Sequence, residues 1–223
     1  MSKLVLIPSP IGNLADISKR SIEEIESSNI ILCEDTRHTA KLINHLGIKK
    51  TLKSYHKFNE HSIVESIIND IKNGFKIGLI SDAGTPGISD PGYLVVKKCI
   101  DNDIEVECLP GPTALIPALV ISGLPCDRFT FEGFLPIKKG RKSRLEELTN
   151  EKRTMIFYES PHKLIKTLND FSNYFGSDRG ISVTKEISKV YETTYRGKVI
   201  DVLSQITKPK IKGEFVIIVR GKK

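Results

Sequence analysis

No apolar run in this sequence approaches the ~20 residues that a membrane-spanning helix needs. The opening run ends at Pro8 and is too short for a signal peptide. Cysteine is sparse: Cys33, Cys99, Cys108 and Cys126 form no C-x-x-C pair, which argues against a zinc knuckle. Cys33, Cys99 and Cys108 sit in apolar segments and are expected to be buried, reduced thiols, in a cytoplasmic protein. No metal-ligand spacing occurs, so no metal is expected. Neither G-x-G-x-x-G nor G-x-x-x-x-G-K-[ST] is present, which excludes the standard dinucleotide and P-loop grips. Internal repeats and low-complexity segments are also missing.

Acidic side chains are the scarcer sign, 27 against 34 lysines and arginines, giving a net charge of +7. That favours an anionic partner, most often nucleic acid, although many basic proteins bind none. Hydrophobic residues are 39% of the total, enough for a real core in one large domain or two small ones.

Ser81 to Tyr93 is the stretch that organises the rest. It joins a strand-type run, Lys76 to Ile80, to the helical spacing of Leu94 to Ile100. Gly84, Gly87 and Gly92 permit positive φ, Pro86 and Pro91 stiffen the segment, and Pro91 could stand at the first turn of a helix over Pro91–Asp101. Such a loop after a strand suits a ligand cradle, or else an Ω-type surface loop.

Upstream, Lys3–Ile7 and Asn29–Glu34 read as strands, and Thr51–Tyr55 as a weak one. Helices are expected around Ile17–Ile25, over Thr36–Leu46 and over Glu60–Asn73. Glu105–Leu109 is a further strand, running into Pro110–Thr113. Strands alternating with helices mean an α/β fold with a largely parallel sheet. Three turn-rich loops, 8–13, 81–93 and 110–113, then leave strands at one edge and can converge. A helix over Thr113–Ser122 precedes Gly123-Leu-Pro-Cys-Asp127, so the domains are expected to be 1–122 and 123–223. Beyond lie strands, helices and a basic loop, Lys138-Lys-Gly-Arg-Lys142.

Nine segments resemble one family, in order from end to end. They are residues 7–17, Glu34-Asp-Thr-Arg-His-Thr39, Ser81-Asp-Ala-Gly-Thr-Pro86, Asp90-Pro-Gly-Tyr93, Leu109-Pro-Gly-Pro112, residues 124–129, Glu132-Gly-Phe-Leu-Pro136, Phe157-Tyr-Glu-Ser160 and Lys185-Glu-Ile-Ser-Lys189. Together they resemble the tetrapyrrole-methylase superfamily of S-adenosylmethionine (SAM) enzymes. Glu-Asp-Thr-Arg and Tyr-Glu-Ser point to its RNA branch. The resemblance implies two α/β domains with SAM in the cleft between them, and a homodimer. It implies methyl transfer to the ribose 2′-oxygen of a decoding-centre cytidine in 16S ribosomal RNA of the small subunit. Some members of the superfamily continue into a small helical module. This sequence ends at Lys223, so any contact such a module makes is expected to be absent or supplied elsewhere.

By resemblance, Asp82, Gly84, Thr85 and Pro86 carry the cofactor contact, and Ile11, Thr113, Ala114, Tyr158 and Gly213 match other cofactor-lining positions. Asp82 could accept from the ribose or the ammonium, or simply brace its loop. Arg37 could grip a phosphate, or pair with Glu34 or Asp35 beside a capped helix start. Lys138, Lys139, Arg141 and Lys142 are expected to track an RNA backbone. For transfer to a hydroxyl, Glu186 and Glu159 are candidate bases, with Lys185 or Arg37 steadying the oxygen and His38 and His162 as further possibilities. Each carboxylate has a structural reading too, as half of a salt bridge. A tetrapyrrole methylase and a non-catalytic RNA-binding assembly factor are the alternative functions.

Overall fold

The computed structural model describes residues 2–206 and 211–222. They fall into two units, Met1–Thr113 and Ala114–Lys223.

Short aliphatic runs build the sheet of the first unit: β1 (Leu4–Leu6), β2 (Ile30–Cys33), β3 (Thr51–Ser54), β4 (Ile77–Ile80) and β5 (Val106–Cys108). The order is β3-β2-β4-β1-β5 and every pairing is parallel. β1 and β4 are buried along their whole length, as continuous apolar strands of a covered parallel sheet should be. The helices are α1 (Lys19–Ser27), α2 (Thr36–His45), α3 (Glu60–Lys72) and α4 (Tyr93–Ile100). Val64, Ile67, Ile68 and Ile71 of α3 join Val95 and Cys99 of α4 in one apolar layer. Ile25 of α1 and Ile43 of α2 belong to a second layer. At the sheet centre, a Cβ on Gly78 would lie 2.7 Å from Ile31 Cδ1 and 2.9 Å from Ile7 Cδ1.

The second unit comprises α5 (Leu115–Ile121), β6 (Phe129–Phe134), α6 (Arg141–Leu148), β7 (Thr154–Glu159), α7 (Leu164–Phe175), β8 (Gly180–Lys185), β9 (Thr193–Lys198), α8 (Val199–Ile206) and β10 (Phe215–Val219). Its sheet runs β6-β7-β10-β8-β9. Only β6 and β7 are parallel; the other neighbours are antiparallel. Phe157, Phe171 and Phe175 form its aromatic centre, with ring centroids 4.8 and 5.0 Å apart.

Three expectations shift. The division falls before α5 rather than at 122/123, because that helix packs on β7 and β10. Cys33 and Cys99 are buried, but Cys108 is exposed, since β5 is an edge strand. Helix α4 starts at Tyr93, with Gly92 at φ 155° as its cap, so Pro91 stands outside it.

Candidate functional site

Because the first sheet is parallel, the loops after β1, β2, β4 and β5 leave from one edge. They are tied together there. Ser9 N–H donates to the Gly84 carbonyl at 2.9 Å, and Gly84 N–H returns to the Ser9 carbonyl at 3.0 Å. Ser9 Oγ donates to the Ser81 carbonyl at 3.0 Å. Thr85 Oγ1 donates to the Pro112 carbonyl at 3.0 Å, linking the third loop. A Cβ on Gly84 would meet Ile11 Cγ2 at 3.3 Å, the Pro112 oxygen at 3.5 Å and Thr113 Cα at 3.8 Å. Gly84 adopts φ 84°, a conformation that disfavours any side chain. The structure thus brings Ile11, Gly84, Thr85 and Thr113 together. Asp82 and Pro86 lie on the same loop.

Asp82 Oδ1 accepts from Asp35 N–H at 3.2 Å, which fastens the loop after β4 to the end of β2. That bond braces one loop against the other. Asp90 and Glu34 face the same region. Burial, then the carboxylates of Glu34 and Asp82, push the Asp90 carboxyl up to about 6. Glu34 is likewise raised, by burial first and Asp82 second. A carboxylate group that resists charging would gain from a cation placed beside it. SAM carries two cationic groups, an ammonium and a sulfonium, so the donor set suits it. So does the side-chain-free cradle at Gly84.

Arg37 is exposed and pairs with its own loop: Nη2 lies 2.7 Å from Asp35 Oδ2 and Nε 3.1 Å from Oδ1. Asp35 also caps α2 through the Arg37 N–H. Its carboxyl is held far below the usual range, chiefly by the Arg37 guanidinium.

The other expected residues belong to the second unit. Tyr158 stands edge-on to Phe131 and Phe134, with centroids 5.1 and 5.7 Å away. Lys185 ends β8 and Glu186 follows at φ 52°. That backbone is held by reciprocal contact with Glu214: Glu186 N–H donates to the Glu214 carbonyl, and Glu214 N–H donates to Glu186 Oε1, both at 2.9 Å. Lys189 Nζ lies 3.0 Å from the same oxygen. Gly213 is packed so closely that a Cβ would sit 2.6 Å from the Glu186 carboxyl group. Partial burial would raise the Glu186 carboxyl, but the Glu214 amide and Lys189 outweigh it, and the net direction is down. Ala114 precedes α5 as its cap.

Glu159 is 4% exposed. Its oxygens accept from Ser160 N–H at 2.8 Å and Thr167 Oγ1 at 2.6 Å. Arg141 corrects an expectation. It is buried, with Nε on Asp170 Oδ2 at 2.9 Å, Nη2 on Thr167 Oγ1 at 2.8 Å and Nη1 on the Pro136 carbonyl at 3.2 Å. It begins α6 and braces α7, leaving Lys138, Lys139 and Lys142 as the exposed cations of that loop. His38 and His162 are exposed.

Asp90 and Glu34 stand within matched segments, Asp90 with no role of its own there and Glu34 only as a possible partner of Arg37, which pairs with Asp35 instead. The signal that marks them is strand order: β2 lies beside β4, so the two carboxylates face each other only after folding.

Residues 3–202 match the family model described as Tetrapyrrole (Corrin/Porphyrin) Methylases. A Thermotoga maritima protein named Ribosomal RNA small subunit methyltransferase I is 41% identical over 222 residues, covering 100% of both chains. Proteins of the same name from Synechocystis and Escherichia coli O157:H7 are 43% and 44% identical, over 99% of this chain and 80% and 78% of theirs. Among solved structures, diphthine synthase aligns with a TM-score of 0.77 at 10% identity, covering 99% of this chain and 90% of that one. Thermus thermophilus uroporphyrin-III C-methyltransferase complexed with S-adenosylhomocysteine aligns at 0.66 and 15% identity, over 98% and 97%. These two likenesses speak for the fold.

Proposed function

The chain belongs to the tetrapyrrole (corrin/porphyrin) methylase family, and from that premise we propose that it methylates small-subunit ribosomal RNA on the ribose 2′-oxygen of a decoding-centre cytidine. It is a SAM-dependent methyltransferase. The observation that carries the RNA substrate is identity of 41–46% with proteins named for that activity, reaching the full length of both chains in one case. The net charge of +7 agrees with it.

SAM supplies an activated methyl group. The loop at Asp82–Pro86, with Ile11 and Thr113, offers backbone groups and a carboxylate to hold it, and Glu34 and Asp90 add negative charge against its cationic part. In the second unit, Ala114, Tyr158 and Gly213 line the cofactor. Lys185 and Arg37 steady the attacking oxygen, and Glu186 accepts its proton. Glu186 already receives an amide and an ammonium and has a lowered pKa, so it is a weak base. Most of the acceleration then comes from alignment of the hydroxyl with the methyl group. The enzyme works in the cytoplasm as a homodimer on the assembled or nearly assembled small subunit, which presents the nucleotide in place.

Subunits from a strain lacking the enzyme, radiolabelled SAM and alkaline hydrolysis of the product test this. A 2′-O-methyl group blocks cleavage at its own phosphodiester. The expected result is one protected linkage, and no transfer when the target nucleotide carries deoxyribose. Label on a base, or only on a tetrapyrrole, would overturn the reading. Failure to bind SAM would favour an assembly factor. Light scattering giving the 24.9 kDa monomer mass would contradict the dimer.

A further inference from the structure

At the edge of the second sheet opposite Tyr158 and Lys185, three strand ends meet. β6 and β7 begin there, with Phe129 beside Thr154, and β10 ends there, with Val219 beside Met155. A concavity of about 420 Å³ opens on this edge. Its lining includes five cations: Arg128, Lys152, Arg153, Arg220 and Lys222. Two carboxylates share it, Asp127 and Glu151. Glu151 is already matched, with Oε2 2.7 Å from Arg153 Nη2 and Oε1 2.9 Å from Arg153 Nε. Lys222 Nζ donates to Asn150 Oδ1 at 2.8 Å. Arg128, Lys152 and Arg220 make no ion pair among the described residues.

This differs from the helical surfaces, where Lys97 faces Asp101 and Lys98 faces Glu65. Cations left unmatched in a concave rim repel one another, and an anion relieves that repulsion. The rim is also built, not scattered. Lys222 N–H donates to the Glu151 carbonyl at 2.6 Å, and Thr154 N–H to the Arg128 carbonyl at 3.2 Å. A Cβ on Gly221 would lie 2.0 Å from the Lys152 oxygen, so only glycine lets these two segments run so close.

We propose that this rim is a second RNA-contact site, gripping one or two backbone phosphates of the substrate at a distance from the methylated ribose. The proposal rests on the RNA reading above. From Thr154 to Tyr158 the strand runs about 13 Å, so the phosphates held here lie about two or more nucleotides from the target, not on the target nucleotide itself. Guanidinium forks at Arg128 and Arg220 suit phosphate oxygens, and Lys152 and Lys222 add point charge.

The test is a variant with Arg128, Lys152, Arg220 and Lys222 all changed to Gln. A control removes four cations elsewhere: Lys19, Lys72, Lys97 and Lys98. Binding to unmethylated small subunits and to an RNA hairpin of their target region is measured against salt, alongside SAM affinity and thermal unfolding. The expected result is a salt slope shallower by roughly one to two for the rim variant, at about 0.7–0.9 per phosphate contact, and a raised KM for subunits. SAM affinity and unfolding stay as in the parent, and the control changes little. An unchanged slope overturns the proposal, and so does a control that flattens it equally. Weaker binding to subunits with unchanged binding to the hairpin would assign the rim to a protein partner and overturn it as well. Should the parent protein bind RNA but leave the 2′-oxygen unmethylated, the functional reading fails while the rim's phosphate grip is still measured.

Discussion

The two units use opposite materials at their working edges. The first presents mostly backbone: four loops at one end of a parallel sheet, joined by Ser9–Gly84, Thr85–Pro112 and Asp35–Asp82 hydrogen bonds, with carboxylates behind them. The second presents side chains: an aromatic group at Tyr158, a buried Arg141–Thr167–Glu159 chain and a cationic rim. A parallel sheet delivers several loops to one place, so backbone can do the binding. A mixed sheet sends alternate strand ends to opposite edges, so function there depends on which side chains stand at each end.

If the contrast holds, the largest stability loss should come from the buried side-chain chain of the second unit. Arg141→Ala leaves Asp170 and Thr167 without their partner and should destabilise by about 3 kcal/mol, read by urea unfolding. Removing Lys138, Lys139 and Lys142 together should stay within about 0.5 kcal/mol. Equal losses would erase the distinction between braced and solvated cations in that loop.

Next comes the backbone cradle. Gly84→Val forces a branched side chain to φ 84° and against Ile11, at a cost of about 2 kcal/mol. SAM affinity should fall more than tenfold by calorimetry. Retained affinity would remove Gly84 from the cofactor surface.

Asp82→Ala is smaller in stability, since one hydrogen bond to Asp35 is lost. It should weaken SAM by about 1–3 kcal/mol if the carboxylate also serves the cofactor. An effect on unfolding alone would leave Asp82 as a brace only.

The smallest effect is a pH dependence. An unfolded aspartate titrates near 3.9, whereas Asp90 in the fold titrates at about 6. Its contribution to stability is complete below the unfolded value and is lost as pH rises through 6, amounting to about 1 kcal/mol once partial exposure is allowed for. Asp90→Asn should flatten that part of the stability profile. A cation bound beside the carboxylates favours their charged form, so SAM affinity should rise between pH 5 and pH 7. A flat affinity profile would separate the carboxylates from the cofactor.

The loops of the first unit were legible because glycine and proline act locally and their strands are continuous apolar runs. The parallel edge followed from alternation of strands and helices. Other features depend on partners far along the chain. Arg141 looks like its neighbours in a basic run, and only Asp170 and Thr167, a helix away, distinguish it. Asp90 acquires its environment from Glu34 through strand order. Helix α5 was read with the unit that precedes it, because its apolar face does not reveal which sheet it covers. The exposed Cys108 carries the same lesson, since an edge strand has the composition of a central one.

The reciprocal Ser9–Gly84 pair has a consequence for how this chain tolerates change. Its two hydrogen bonds involve no side-chain atom. Position 9 is buried, so it can change to another small residue, losing only the Ser9 Oγ bond, while the loops stay joined. Proline at either position would delete a donor and part them. The join thus tolerates small residues at position 9, whereas position 84, at φ 84° and against Ile11, keeps its glycine.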